Sequence, residues 1–247
     1  MTKLSVNINK VALLRNTRHL DLPSVVWSAR VALDAGAAGV TVHPRPDQRH
    51  IRATDVPAIA ELLLEPAYAE REFNIEGNPF EGRFMEHVRD VRPDQCTLVP
   101  DDPGAFTSDA GWDVRKHMEK LKQIVGELKA FGGRVSLFMD ADVQQVQLAA
   151  ETGADRVELY TEPYAAAYGT ADQDRVTADF AAAAEAAGEA GLQVNAGHDL
   201  SLVNLEHFLA NVPNVLEVSI GHALIADALE MGLAEAVRAY LGITSAG

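Results

Sequence analysis

Residues 40–51 read Val40-Thr41-Val42-His43-Pro44-Arg45-Pro46-Asp47-Gln48-Arg49-His50-Ile51. The stretch opens as a short apolar strand continuing from Gly39. It then breaks into two prolines, two arginines and two histidines. Proline fixes φ and offers no ladder donor, so Pro44 ends the strand and stiffens the loop behind it. The chain carries a formal net charge of −15, yet this loop concentrates Arg45 and Arg49, with Arg52 just beyond and His43 and His50 beside them. Guanidinium groups grip phosphate and carboxylate as a planar fork, so a basic island on an acidic protein points to a small anionic ligand. The plain alternative is a solvated loop whose arginines pair with surface acids.

Outward from this stretch the same unit repeats. Short β-branched runs fall at 4–8, 40–43, 73–76, 96–99, 135–139, 156–160, 193–195 and 215–220. Between them, helical periodicity is clearest at 23–35, 112–131, 142–152, 178–190 and 223–241. Gly36, Gly132, Gly133, Gly153 and Gly191 fit helix C-terminal caps or the turns after them. Strand then helix, eight times with no break in composition, reads as α/β: one (β/α)₈ TIM barrel over residues 1–247, with extra loop or short-helix elements. An open doubly wound sheet is the rival, but no Gly-x-Gly-x-x-Gly follows the first strand.

Two segments exceed what a minimal barrel needs. Residues 100–111 follow the fourth strand and are rich in turn formers, which suits either a lid over a site or a mobile surface loop. Residues 161–175 could form an extra short helix, a lid wall or an oligomer contact. The alanine-rich stretch 180–190 is a strong helix former whose small side chains permit close packing, and it is a candidate face for self-association.

Composition excludes several classes. A pI near 4.9 argues against nucleic acid or an anionic membrane surface as the main partner. No apolar run is long enough to span a bilayer, and the first residues lead into a strand rather than a signal peptide. The single Cys96 can form neither an internal disulfide nor a cysteine metal cluster. The chain reads as a cytoplasmic protein.

In this fold the chemistry gathers at the C-terminal ends of the strands. There the sequence places Asn7, Asn9 and Lys10, then His43, Glu76, Val99, Asp140, Glu158, His198 and His222. Three histidines and two glutamates thus converge on one mouth, opposite several arginines. Each alone has a dull explanation: Glu158 could pair with an arginine inside the barrel, and His222 could merely open the last helix. Gly197 and Gly221 lie in the loops where barrels often hold a phosphate on backbone N–H groups. No lysine follows Lys129, which removes a Schiff-base lysine on a late strand. The histidines and glutamates lack an obvious metal-ligand spacing, so metal-free acid–base chemistry on phosphorylated carbonyl compounds is the reading they favour.

The segments 5–10, 41–51, 73–76, 98–100, 194–198 (Val-Asn-Ala-Gly-His) and 219–223 (Ser-Ile-Gly-His-Ala) resemble the pyridoxine 5′-phosphate synthase family, in order and over nearly the whole chain. The resemblance implies a barrel that condenses 1-deoxy-D-xylulose 5-phosphate with 3-amino-2-oxopropyl phosphate, without metal or organic cofactor, in a homo-octamer. It implies that His43 and Glu76 accept protons, that His198 donates one and that Glu158 stabilises charged intermediates. Asn7, Arg18, Gly221 and His222 would hold the aminoketone phosphate. Asn9, Lys10, Arg45, His50 and Thr107 would hold the deoxyxylulose phosphate. Three places depart from a common form of the family. Asn9-Lys10 replaces an Asp-His pair, Gly77-Asn78-Pro79 follows Glu76, and Asp199 stands where a glycine often follows the histidine. Asp199 is accordingly not counted in the site. A phosphosugar isomerase and a non-catalytic barrel that binds a phosphorylated metabolite are the alternatives.

Overall fold

The computed structural model describes residues 1–102 and 104–245; Pro103, in the loop 100–111, and residues 246 and 247 lie outside the description. In chain order the elements are β1 (Lys3–Asn7), α1 (Asn9–Asn16), α2 (Val25–Asp34), β2 (Gly39–Val42), α3 (Asp55–Leu63), β3 (Glu72–Gly77) and α4 (Phe84–Val91). They continue with β4 (Gln95–Leu98), α5 (Val114–Ala130), β5 (Arg134–Met139), α6 (Val143–Glu151), β6 (Arg156–Tyr160) and α7 (Glu162–Ala167). The chain closes with α8 (Gln173–Glu189), β7 (Gln193–His198), α9 (Leu205–Asn211), β8 (Val215–Ile220), α10 (His222–Met231) and α11 (Leu233–Thr244). All eight strands pair in parallel with their sequence neighbours, and β8 returns to β1, closing the barrel. The (β/α)₈ reading holds.

Strand alternation sorts the side chains into two populations. Leu4, Val6, Val40, Val42, Ile75, Leu98, Leu137, Val157, Val194 and Val218 are buried in the main apolar core. Fully burying a side chain of this kind stabilises by about 1.5–3 kcal/mol. Most of the alternate positions are polar, with Phe138 an exception near the mouth, and several of them bond to one another. Ser5 meets Thr41 at 2.7 Å, Asn74 donates to Thr41 at 3.3 Å, and Thr97 donates to Asn74 at 3.1 Å. Gln95 on β4 reaches Glu217 on β8, and Arg156 on β6 reaches both. Those strands are not neighbours, so these bonds cross the lumen. The barrel is therefore filled by a hydrogen-bonded polar layer in place of the branched apolar layers usual for the fold.

Several expectations change in detail. The helical periodicity over 223–241 covers two helices, because Gly232 takes φ +88° and stops α10; both halves keep an apolar face, which hides the break from a periodicity count. β7 runs to His198 rather than stopping at Asn195. Residues 161–175 include the extra short helix α7, tied down by buried Tyr164, whose hydroxyl donates to the Asn204 carbonyl at 2.8 Å. The small-residue face of α8 is spent inside the fold: Ala183, Ala184, Ala186 and Ala187 are buried against the chain's own core and are not a free association surface.

Candidate active site

The C-terminal ends of the strands enclose a cavity of about 340 Å³. β1 and the start of α1 supply Asn7, Asn9 and Lys10; the turn after β2 supplies His43, Arg45, Arg49 and His50. Glu76 comes from β3, Glu158 from β6, His198 from β7 and Ser219 from β8, with Gly221 and His222 opening α10. Phe106, Thr107 and Ser108 reach in from the loop 100–111. Every residue expected at the site lines this cavity except Arg18, which lies exposed beyond the end of α1. Arg18 belongs to no element that points at the mouth, so the chain's periodicity gives it no fixed place.

His43 is held at the centre of the acid–base group. Its backbone N–H donates to Asn9 Oδ1 at 2.9 Å, and Asn9 N donates to Asn7 Oδ1 at 3.0 Å. Asn7 in turn donates to Glu76 Oε2 at 3.3 Å. The His43 ring lies between two carboxylates, with Nδ1 3.7 Å from Glu76 and Nε2 3.6 Å from Asp101. Burial, reinforced by the positive charge of Arg45, pushes its pKa well below the ordinary value, so the ring is neutral.

The two mouth glutamates are shifted the other way. Burial, with the Asp101 charge adding to it, raises the Glu76 carboxyl to about 8. Glu158 is raised as well, by burial and then by the nearby charges of Glu76 and Glu217. Its only hydrogen-bond donor among the described residues is Thr97, at a long 3.5 Å. The expected rival role for Glu158, an ion pair with an arginine inside the barrel, is filled by a different residue: Arg156, two positions earlier on β6, pairs with Glu217 at 3.3 Å. Gly197 creates the room. A Cβ there would lie 2.7 Å from Glu158 Oε1 and 2.8 Å from the Ser219 carbonyl, so this glycine spaces a carboxylate and does not itself line the cavity.

The cationic rim is tied to the loop 100–111. Arg45 bonds Asp101 Oδ2 at 2.6 Å and the Ala105 carbonyl at 3.0 Å. Arg49 donates to the carbonyls of Ala105 and Phe106 and pairs with Asp47. Thr107 Oγ1 lies 2.8 Å from His198 Nε2, so the loop lies over the mouth and touches the acid–base set directly. His50 accepts from Ile51 N at its Nδ1. Burial and the Arg45 charge push His50 down to about 4, leaving a neutral ring whose Nε2 carries a proton to donate. Asp101, which sequence reasoning passed over, packs against His43 and Arg45, and Asp199, which it set aside, lines the cavity. Asp101 was one of several acids in an acidic loop; only its burial against Arg45 sets it apart. The available signal for Asp199 was its position directly after a mouth histidine.

Fold and cavity together define a (β/α)₈-barrel enzyme equipped for acid–base chemistry on a small anionic substrate. Residues 4–246 match the family described as pyridoxal phosphate biosynthesis protein PdxJ. Among curated proteins the chain is 55% identical to pyridoxine 5′-phosphate synthase of Albidiferax ferrireducens, over 100% of this chain and 98% of the relative. It is 53% identical to the enzyme of that name from Bacteroides thetaiotaomicron, covering 97% and 98% of the two chains. The chain belongs to the pyridoxine 5′-phosphate synthase family, enzymes of vitamin B6 biosynthesis. Among solved structures, phosphoribosyl anthranilate isomerase of Thermotoga maritima superposes with a TM-score of 0.63 at 12% identity, covering 100% of both chains, a likeness of fold alone.

Proposed function

We propose that the protein condenses 1-deoxy-D-xylulose 5-phosphate with 3-amino-2-oxopropyl phosphate, releasing pyridoxine 5′-phosphate, phosphate and water. The observation that carries this reading is one cavity combining two buried glutamates that lack an arginine partner, two histidines and cationic or amide groups on opposite rims. Lys10, Arg45 and His50, with Asn9 and Thr107, hold the phosphate of the deoxyxylulose substrate. Gly221 and His222 open α10, where free backbone N–H groups favour an anion, and with Asn7 they hold the aminoketone phosphate. Arg18 joins that set only if its segment turns inward on binding.

The amine of one substrate adds to the ketone of the other, and loss of water gives an imine. His43 and Glu76 take and return protons during enolisation and loss of phosphate, while Glu158 stabilises charged intermediates. His198 supplies a proton during ring closure, in which a second water leaves. The two phosphates provide remote binding energy that positions the reacting carbons. The working enzyme is a cytoplasmic homo-octamer. Exposed Leu20, Leu22 and Trp27, each more than half accessible, offer apolar surface for subunit contact. Light scattering that finds a stable monomer removes that part.

Incubation with both substrates, followed by absorbance and fluorescence, tests the reaction. Pyridoxine 5′-phosphate should form only when both are present. Isomerisation of a single phosphosugar would favour the isomerase, and saturable binding with no turnover would favour the non-catalytic barrel.

A further inference from the structure

Adjacent residues of an extended chain point to opposite faces, so the side chains of His198, which ends β7, and Asp199 would not meet if the strand simply continued. They do. His198 takes φ +94°, rare for a residue with a Cβ, and this turn swings Asp199 back onto the imidazole. Asp199 Oδ2 lies 2.5 Å from His198 Nδ1. The geometry is anchored from outside: Asp199 N donates to Thr161 Oγ1 at 3.2 Å, and its carbonyl accepts from Asn204 Nδ2 at 3.3 Å. Thr161 is itself fixed by donating to the Gly197 carbonyl at 2.8 Å. The Tyr160 ring meets the imidazole edge-on, with centroids 5.3 Å apart. Among the described residues no second carboxylate comes within ion-pairing distance of His198, although Glu76, Glu158 and His43 share its cavity.

We infer that Asp199 is a positioning residue that locks His198 in the tautomer with its proton on Nδ1. An ionised carboxylate only accepts, so Nδ1 must donate, and in the neutral ring Nε2 is left as an acceptor facing the cavity and Thr107. The inference rests on the proposed role of His198 and refines it. Nε2 must first take a proton from the reacting system before His198 can give one, so its donor step follows an acceptor step. Asp199 accepts the hydrogen bond from Nδ1 throughout. A backbone strained at a non-glycine position is retained here because Thr161 and Asn204 hold it and the pair it creates orients the ring.

Nitrogen-15 histidine labelling reads the tautomer directly, without substrate. Native protein should show a protonated Nδ1 and an unprotonated Nε2 for His198. In Asp199→Asn the proton should move to Nε2, with kcat falling by about 10²-fold or more and KM for either substrate changing little. Asp199→Glu should recover part of both the signature and the rate. A native His198 protonated on Nε2, or Asp199→Asn turning over at the native rate, overturns the inference. If Asp199→Asn does not fold, the native spectrum alone decides. Native protein that forms no pyridoxine 5′-phosphate would sink the proposed reaction while leaving the tautomer measurement standing.

Discussion

Arg156 and Glu158 lie two residues apart on β6, both buried, yet they belong to opposite regimes of the same barrel. Below, Arg156 pairs with Glu217 and shares Gln95 and Asn195, so the charge of Glu217 is matched even though burial still raises its pKa. Above, Glu158 and Glu76 are raised by burial and by neighbouring acids, with a long threonine bond to the one, and the Asn7 amide and a distant arginine near the other, too little to offset it. A buried carboxylate paired with a cation holds strands together. One without that partner holds or moves protons, and natural chains tolerate it where chemistry needs it.

The contrast predicts opposite signs for similar substitutions. Glu76→Gln should lower turnover by about 10²–10⁴-fold while leaving the fold intact, because the amide cannot take a proton yet replaces a carboxyl that is largely protonated below about pH 8. Native turnover in that variant would show that the uncompensated carboxylate is not the base. Glu217→Gln should do the reverse. It leaves the Arg156 guanidinium buried and unmatched, at a cost of about 3–5 kcal/mol in denaturant unfolding, with near-native turnover per folded molecule.

Stability against pH sharpens the same point. The folded state raises Glu76 from 4.5 to about 8, so it binds that proton more tightly than the unfolded chain. The contribution is therefore fully present below the unfolded value and is lost as pH rises toward 8. The thermal midpoint of Glu76→Gln should gain on the native protein across that window; a constant difference would contradict the assignment. Gly197→Ala should act at one remove, because its methyl would press on Glu158 and the Ser219 carbonyl. Displacing Glu158 by even a fraction of an ångström should cost turnover, up to about 10²-fold, and the contact with the Ser219 carbonyl should lower stability as well. The smallest effect belongs to Thr107→Val. Losing one hydrogen bond to His198, worth about 0.5–1.5 kcal/mol, should speed amide exchange in the loop 100–111 and slow turnover a few-fold.

Most of the barrel was legible because parallel strands and their helices leave strong periodic traces, and strand ends then locate a mouth. His43, Glu76, Glu158 and His198 were readable for that reason. Asp101 and Asp199 were not. One is an acid in a loop of acids, and the other depends on a left-handed backbone turn that no residue type announces. The single late helix was misread because a glycine break between two amphipathic helices preserves the pattern on both sides.

The sequence by itself determined the order of strands and helices, the end of the barrel that carries chemistry and, through its motifs, the family. Periodicity and strand-terminal residues are local properties, written directly into the chain. Tertiary structure alone decided which buried carboxylate has a cation. Arg156, Glu217, Gln95 and Asn195 come from four strands up to 122 residues apart and meet only when the barrel closes. It also decided that the small face of α8 is used internally, and that a strained turn at His198 joins an acid to the imaginably independent ring beside it. Charge compensation and tautomer depend on distances across the lumen and the mouth, and closure of the sheet sets those distances.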